Sequence, residues 1–259
     1  MLVKQRLAHR GAEGDSWTGM VEVSSVAMNA LVVVPVHNEE TSLGAVLAGL
    51  QAAWSGGVLV VDDGSTDATP HIAREQGAWL VQHADNRGYG AALRSGFAWA
   101  TARGYTWAVT LDADGQHEPS YLRLFLDRAA TGGLDVISGS RYLDASPALS
   151  PVPQDRRWVN GIVTRLLCDL TGLALTDAFC GFRAYRLAAL TKLELTEDGY
   201  GFPMEFWIKA AHLGLAVEGV PVPLVYHDFA KGVGRLPARA RLAHYLAVAA
   251  DALRWTCSS

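Results

Sequence analysis

From residue 30 onward the chain alternates between short apolar runs and amphipathic stretches. Residues 31–36 form a valine-rich run, as a strand buried on both faces requires. Residues 41–53 then place Leu43, Val46, Leu47 and Leu50 at helical spacing. The same reading predicts strands over 58–61, 78–82, 106–111 and 134–138, with helices over 69–76 and 91–102 between them. Pro119 opens a further helix through residue 130, because proline is tolerated in a first turn. Such alternation predicts an α/β fold of parallel βαβ units, whose ligands gather at the carboxyl ends of the strands. The rhythm breaks after Arg141. Residues 146–153 carry three prolines and predict a loop over a site. Residues 156–170 and 204–213 read as helical, 181–185 and 222–227 as extended. Residues 237–255 read as a last helix with Leu242, Leu246, Ala249 and Leu253 on one face.

The first 28 residues show no sustained period and are punctuated by Gly11, Gly14 and Gly19, so they predict a disordered leader. Residues 29–228 form one domain, and residues 229–259 a basic loop and amphipathic helix, packed on that domain or lying at a membrane surface. That end carries Lys231, Arg235, Arg239, Arg241 and Arg254 against a single acid, Asp251. Half of the 259 residues are hydrophobic and 19% are charged, which suffices for a sizeable core and excludes wholesale disorder. A net charge of −4 argues against a nucleic-acid partner held by a basic surface. The three cysteines form no Cys-x-x-Cys pair, which excludes a disulfide scaffold or zinc ribbon and fits a reducing compartment. No apolar run approaches the roughly 18 residues of a membrane span. The expectation is a cytoplasmic protein, with contact at the inner face of a membrane left open.

Acidic and small polar residues collect where the strands end. Residues 35–40, 62–67 and 112–117 follow the first, second and fourth strands. Each alone reads as a capped turn or a surface coincidence. Together on one sheet edge they make a pocket of carboxylates, which repel one another unless a cation joins them. Asp112 and Asp114, with the neutral oxygen of Gln116, offer hard ligands without His or Cys, a set that suits Mg²⁺ or Mn²⁺. Such ions complete their shells with water and phosphate oxygens, so the site expects a diphosphate. The chain has no Gly-x-x-x-x-Gly-Lys-Ser/Thr loop, and no Gly-x-Gly-x-x-Gly after the first strand.

The sequences Val-Pro-Val-His-Asn-Glu-Glu (34–40), Val-Val-Asp-Asp-Gly-Ser-Thr-Asp (60–67), Asn-Arg-Gly-Tyr-Gly-Ala-Ala-Leu (86–93) and Leu-Asp-Ala-Asp-Gly-Gln-His (111–117) together resemble the inverting glycosyltransferase family 2. Gly139-Ser140-Arg141 and Cys180-Gly181-Phe182-Arg183 bring the chain close to the dolichyl-phosphate mannose synthase and polyprenyl-phosphate glycosyltransferase branch. The resemblance implies a GT-A type nucleotide-diphospho-sugar transferase fold with a mostly parallel central sheet flanked by helices. It implies a metal-dependent transferase that takes a UDP- or GDP-linked sugar.

By the same resemblance, Pro35, His37 and Glu39 line the nucleoside pocket, and Asp63, or its neighbour Asp62, accepts a hydrogen bond from the base. Asp63 is preferred. Asp112, Asp114 and Gln116 match the metal-binding segment, with Asp114 bridging metal to diphosphate as the leading catalytic residue. Arg141 and Arg183 match basic positions near the donor and acceptor phosphates, a task that suits guanidinium. Bland readings stand beside these: Arg183 pairing with Asp177, Glu205 favouring a helix N-terminus, His117 and Cys180 serving as packing residues. A polyprenyl or dolichyl phosphate acceptor arrives ionised, whereas a soluble or polysaccharide hydroxyl needs a base, for which Asp177 and Glu205 are the candidates. Relatives with lipid-phosphate acceptors commonly carry a Gly-Glu-Ser-Lys-like loop. Here Lys231 and Arg235 preserve its charge without the serine. Sugar-1-phosphate nucleotidyltransferases are disfavoured, because residues 35–40 contain no glycine. A non-catalytic sugar-nucleotide binder is disfavoured because it has no use for Asp112, Asp114 and Gln116 together.

Overall fold

A computed structural model of the chain describes residues 28–143, 154–225 and 237–257. Residues 1–27 of the leader predicted over 1–28, the proline-rich loop at 146–153, and Lys231 and Arg235 lie outside the described residues. In chain order the elements begin with β1 (Ala30–Val36), α1 (Leu43–Ala53), β2 (Val58–Asp62), α2 (Thr69–Glu75), β3 (Trp79–Gln82) and α3 (Tyr89–Ala102). They continue with β4 (Trp107–Thr110), a 3-10 turn at Pro119–Tyr121 leading into α4 (Leu122–Ala130), β5 (Val136–Ser140) and α5 (Gln154–Thr171). The last are β6 (Arg183–Arg186), α6 (Leu187–Leu190), α7 (Phe202–His212), β7 (Val217–Pro221) and α8 (Ala238–Thr256).

The seven strands form one sheet in the order β3-β2-β1-β4-β6-β5-β7. All pairings are parallel except those of β6, which runs antiparallel to both β4 and β5. β1 lies inside the sheet and every residue of it is buried. Successive side chains point to opposite faces. Leu31 and Val33 therefore join Leu59, Val61 and Phe97 on the side of α3, α7 and α8, while Val32 and Val34 join Leu43, Leu47, Val60 and Phe125 on the side of α1 and α4. This two-sided burial explains the unbroken valine run.

Two expectations change in the C-terminal half. An edge strand outside the expected set forms at Val217–Pro221 beside β5, while of the strand expected at 222–227 Leu224 makes a single bridge and residues 226 and 227 lie outside the described residues. The face that α8 turns inward carries Arg241, Tyr245, Val248, Ala249 and Ala252, whereas Leu246 is exposed. Contacts with α7 and α5 set that rotation. Among the described residues, no helix is long and apolar enough to cross a membrane.

Candidate active site

The turns after β1 and β2 are laced together. Asn38, whose φ of 56° puts it in the left-handed region, donates its backbone N–H to Ser65 Oγ (2.8 Å), and its own Oδ1 accepts from Thr66 N–H (2.9 Å). Glu39 N–H donates to Thr69 Oγ1 (2.8 Å), while the Glu39 carboxylate accepts from Ser42 Oγ (2.6 Å). The exposed His37 ring bonds through Nδ1 to the Asp63 carbonyl (2.9 Å). Pro35 lies within β1, paired with Val61.

The two adjacent aspartates are used differently. Asp63 Oδ1 accepts from Arg87 N–H (2.9 Å) and meets His83 Nδ1 at 2.6 Å, and its Oδ2 accepts from Gly88 N–H (2.7 Å). His83 in turn reaches Ser95 Oγ (2.9 Å). Asp63 is thus a buried clamp that ties the 86–88 turn to β2, and its oxygens are taken. Asp62 is fully buried, accepts from Ser65 N–H through Oδ1 (3.0 Å), and leaves Oδ2 without a hydrogen-bond partner. Of the two, Asp62 therefore holds the unsatisfied acceptor, while both Asp63 oxygens are engaged within the protein.

At the end of β4, Tyr89 donates its hydroxyl proton to Asp112 Oδ1 (3.2 Å), and Asp112 N–H donates to His117 Nδ1 (3.1 Å). Gln116 N–H donates to Asp114 Oδ1 (3.0 Å). Burial raises the carboxyl pKa of Asp112, opposed by the Tyr89 bond and the charges of Arg141 and Arg183. Burial and then the neighbouring charge of Asp112 raise that of Asp114. Burial pushes His117 down to about 4, so its ring is neutral and serves as an acceptor. Cys180, against His117 and packed in the core, is pushed up to about 12 by burial and is chemically inert. Gly181 allows this packing, since a Cβ there would overlap the Asp112 carboxylate. Two repelling carboxylates beside an amide suit a hard cation that keeps most of its shell for water and phosphate. Among the described residues, no cluster of three or more His, Cys, Asp or Glu side chains offers a closed protein cage.

Four other expected site residues, Arg141, Asp177, Arg183 and Glu205, are engaged with protein partners. Arg141 grips Asp177 bidentately, Nε to Oδ2 at 2.7 Å and Nη2 to Oδ1 at 3.0 Å, and Asn160 Nδ2 adds a bond of 2.9 Å. Burial works to raise the Asp177 pKa, but the Arg141 guanidinium and these bonds outweigh it and hold the carboxyl low. Arg183 is 2% exposed and does not pair with Asp177. It donates to the Ala178 carbonyl (2.5 Å) and Ser138 Oγ (3.3 Å), with its guanidinium 4.7 Å from the Trp207 ring centroid. Its charge works to lower the Asp112 pKa, and its guanidinium is held within the core. Glu205 accepts from Thr196 N–H (2.9 Å), Glu197 N–H (2.8 Å) and Lys209 Nζ (2.8 Å). Those donors overcome the effect of burial and hold its pKa low, and they occupy Glu205 as a clasp on the backbone of residues 196 and 197.

Sequence reasoning missed Tyr89, Tyr200, His83 and Arg94. Tyr89 lies inside a quoted motif, and its aromatic ring amid glycines was the available signal. Tyr200 stacks on Tyr89 from a distant segment, which local pattern does not reveal.

The fold, with acidic turns gathered at the carboxyl ends of β1, β2 and β4, is that of a GT-A type nucleotide-sugar transferase. Residues 31–193 match the model of Glycosyl transferase family 2, and the chain belongs to that family. It is similar to the undecaprenyl-phosphate mannosyltransferase of Micrococcus luteus, with 32% identity covering 78% of this chain and 85% of the relative. It is also similar to the dolichyl-phosphate hexose transferase of Haloferax volcanii, with 35% identity covering 74% and 81%. Among solved structures it resembles glucosyl-3-phosphoglycerate synthase from Mycobacterium tuberculosis in complex with Mn²⁺, uridine diphosphate and glucosyl-3-phosphoglycerate. There the TM-score is 0.70 at 22% identity, covering 95% of this chain and 86% of that one.

Proposed function

We propose that this glycosyltransferase moves a hexose from a nucleoside diphosphate sugar to a polyprenyl phosphate, inverting the anomeric carbon. The donor half rests on one arrangement: the unpartnered buried Asp62 Oδ2 and the repelling pair Asp112 and Asp114 share one sheet edge. A buried acceptor left unmatched costs about 1–3 kcal/mol, and the imino N–H of uracil or guanine supplies the missing donor. Pro35, His37 and Glu39 border the same end. Asp112, Asp114 and Gln116 would hold Mg²⁺ or Mn²⁺, as the Mn²⁺ and Mg²⁺ complexes of the structural neighbour suggest. The ion's chemistry is to stabilise negative charge on the departing diphosphate. Arg141 and Arg183 add positive potential at Asp112 without leaving their own partners.

The acceptor half rests on Asp177 and Glu205. Both are committed to cations and held at low pKa, so neither is free to take a proton from a hydroxyl. An ionised phosphate needs no base. One of its oxygens attacks C1 of the sugar, the bond from C1 to the diphosphate oxygen breaks, and the nucleoside diphosphate leaves with the electron pair. The acceptors in the names of the two relatives agree with this reading. So does α5, whose outward side exposes Trp158, Ile162 and Leu170 with Arg157 and Arg165, interrupted by the exposed acid Asp169; the apolar side chains are the feature that suits a lipid surface.

Incubation of GDP-mannose or UDP-glucose with Mn²⁺ and detergent-dispersed polyprenyl phosphate should yield a lipid-linked sugar. Asp62→Asn should then weaken nucleotide affinity roughly tenfold or more with the fold retained, since one hydrogen bond to a charged acceptor is lost. Transfer to a soluble hydroxyl acceptor but never to the lipid phosphate overturns the acceptor half. Undiminished nucleotide affinity in Asp62→Asn overturns its role as base reader.

A further inference from the structure

The segment from Thr196 to Gly201 is fastened to the domain from three sides. The Glu205 carboxylate holds Thr196 and Glu197 by their backbone N–H groups. Arg94 on α3 donates to the Glu197 carbonyl (2.7 Å) and pairs with Asp198. Ala91 N–H donates to the Asp198 carbonyl (3.1 Å), and a Cβ at Gly88 or Gly90 would overlap the carbonyl oxygens of Asp198 and Glu197. Gly201 packs in the same way against Val248 of α8. At the tip of this fixed segment Tyr200 is nevertheless 49% exposed. Its exposure is therefore not slack in the chain.

The Tyr200 ring lies parallel to that of Tyr89, with centroids 5.7 Å apart and planes at 12°, and the Tyr89 hydroxyl donates to Asp112. Burial of its inner part, followed by the negative charges of Asp112, Glu39 and Asp114, raises the Tyr200 pKa, in keeping with its place one ring away from Asp112. A half-exposed aromatic ring thus stands one stacked neighbour away from Asp112, a carboxylate of the expected diphosphate position. The base-reading oxygen of Asp62 ends β2, two strands from β4 in the sheet, so the nucleobase occupies the other end of the site. Beyond the diphosphate comes the sugar. Pyranose rings present C–H groups on one face, and an aromatic face with its negative quadrupole is their natural partner.

We propose that Tyr200, braced by Tyr89, is the platform on which the transferred hexose ring stacks, an inference that rests on the nucleotide-sugar reading of the site. The stacking face carries the interaction and the hydroxyl does not. Tyr200 then helps to aim C1 at the acceptor, and the clamps by Glu205, Arg94 and the two glycines serve to hold the platform still.

Calorimetric titration with two pairs of probes tests this: GDP against GDP-mannose and UDP against UDP-glucose, each with Mn²⁺. For the pair the protein binds, Tyr200→Ala and Tyr200→Leu should weaken sugar-nucleotide affinity roughly five- to tenfold, while affinity for the free diphosphate stays within about twofold. Tyr200→Phe should match the parent on both. Because Tyr200 is half exposed, melting temperatures should confirm that the variants fold. Sugar-nucleotide affinity unchanged in Tyr200→Ala overturns the platform. A parallel loss for the free diphosphate assigns the ring to the base and overturns it equally. Parent protein that binds none of the four probes overturns the donor reading itself, and the platform with it.

Discussion

Asp62 and Asp63 are neighbours of equal charge, both buried, and the chain uses them in opposite ways because consecutive residues at a strand end face opposite directions. The motif shows that acid is needed after β2. Which carboxylate keeps an unpartnered oxygen depends on Arg87, Gly88 and His83, 20 to 25 residues from Asp63, and no spacing rule contains them. The same holds for Asp177, a candidate base by composition that the fold has locked to Arg141. Its folded pKa lies below the unfolded value near 3.8, so the stabilisation is present above that value and is lost as pH falls through the lower folded pKa. Asp177→Asn should cost about 3–5 kcal/mol at neutral pH, as expected when a buried ion pair loses one partner. Urea unfolding at pH 7 and at successively lower pH below about 4 should show the gap from the parent shrinking as the parent's carboxylate protonates. A gap independent of pH would mean that the charge is not the source.

Elements that bury two faces, or carry one clear apolar stripe, were legible. The alternation through β5 follows from runs such as residues 31–36 and from the helical spacing of Leu43, Val46, Leu47 and Leu50, all of them buried. What failed lies where context decides. β7 is a five-residue edge strand containing Gly219, and its Val-Glu-Gly-Val-Pro sequence is weaker than the apolar run after it. β6 gives no local sign that it runs antiparallel to its neighbours. The inward face of α8 includes Arg241, whose pairing with Asp155 on α5 (2.6 Å) no amphipathic count anticipates. The entry to α3 shows how backbone conformation joins elements. Gly88 sits at φ +105°, and a side chain there would strike the Asp198 carbonyl. Gly77, at φ +70°, has open space around it. Gly88→Ala should therefore lose well over the roughly 1–2 kcal/mol expected for a positive-φ alanine at Gly77, because it also displaces the 196–201 segment. Comparing denaturation midpoints of the two variants tests this, and equal losses would show that the close approach carries no weight.

At the scale of the whole molecule, the net charge of −4 opposes approach to an anionic membrane, so any such contact depends on a local patch. The sequence pointed to the basic end, but two of its arginines are engaged: Arg241 with Asp155, and Arg254 with Asp251. The inner face of α8 is buried against α5 and α7. α5 offers the better surface. Trp158 is 51% exposed, Ile162 38% and Leu170 43%, with exposed Arg157 and Arg165 among them against the exposed acid Asp169. Inserting the first two side chains into an interface recovers about 3 kcal/mol at the usual apolar coefficient, enough to matter when added to arginine–headgroup attraction. Co-sedimentation with vesicles containing phosphatidylglycerol should accordingly fall strongly in Trp158→Glu and Ile162→Glu, and partly at high salt. Leu246→Glu, on the exposed side of α8, should sediment like the parent. Nucleotide affinity should be unchanged in all three, since these side chains point away from the core and none belongs to the carboxylate edge. If Leu246→Glu abolishes vesicle binding while the α5 variants retain it, the membrane-facing surface is α8, and the lipid acceptor would have to reach the site from that side.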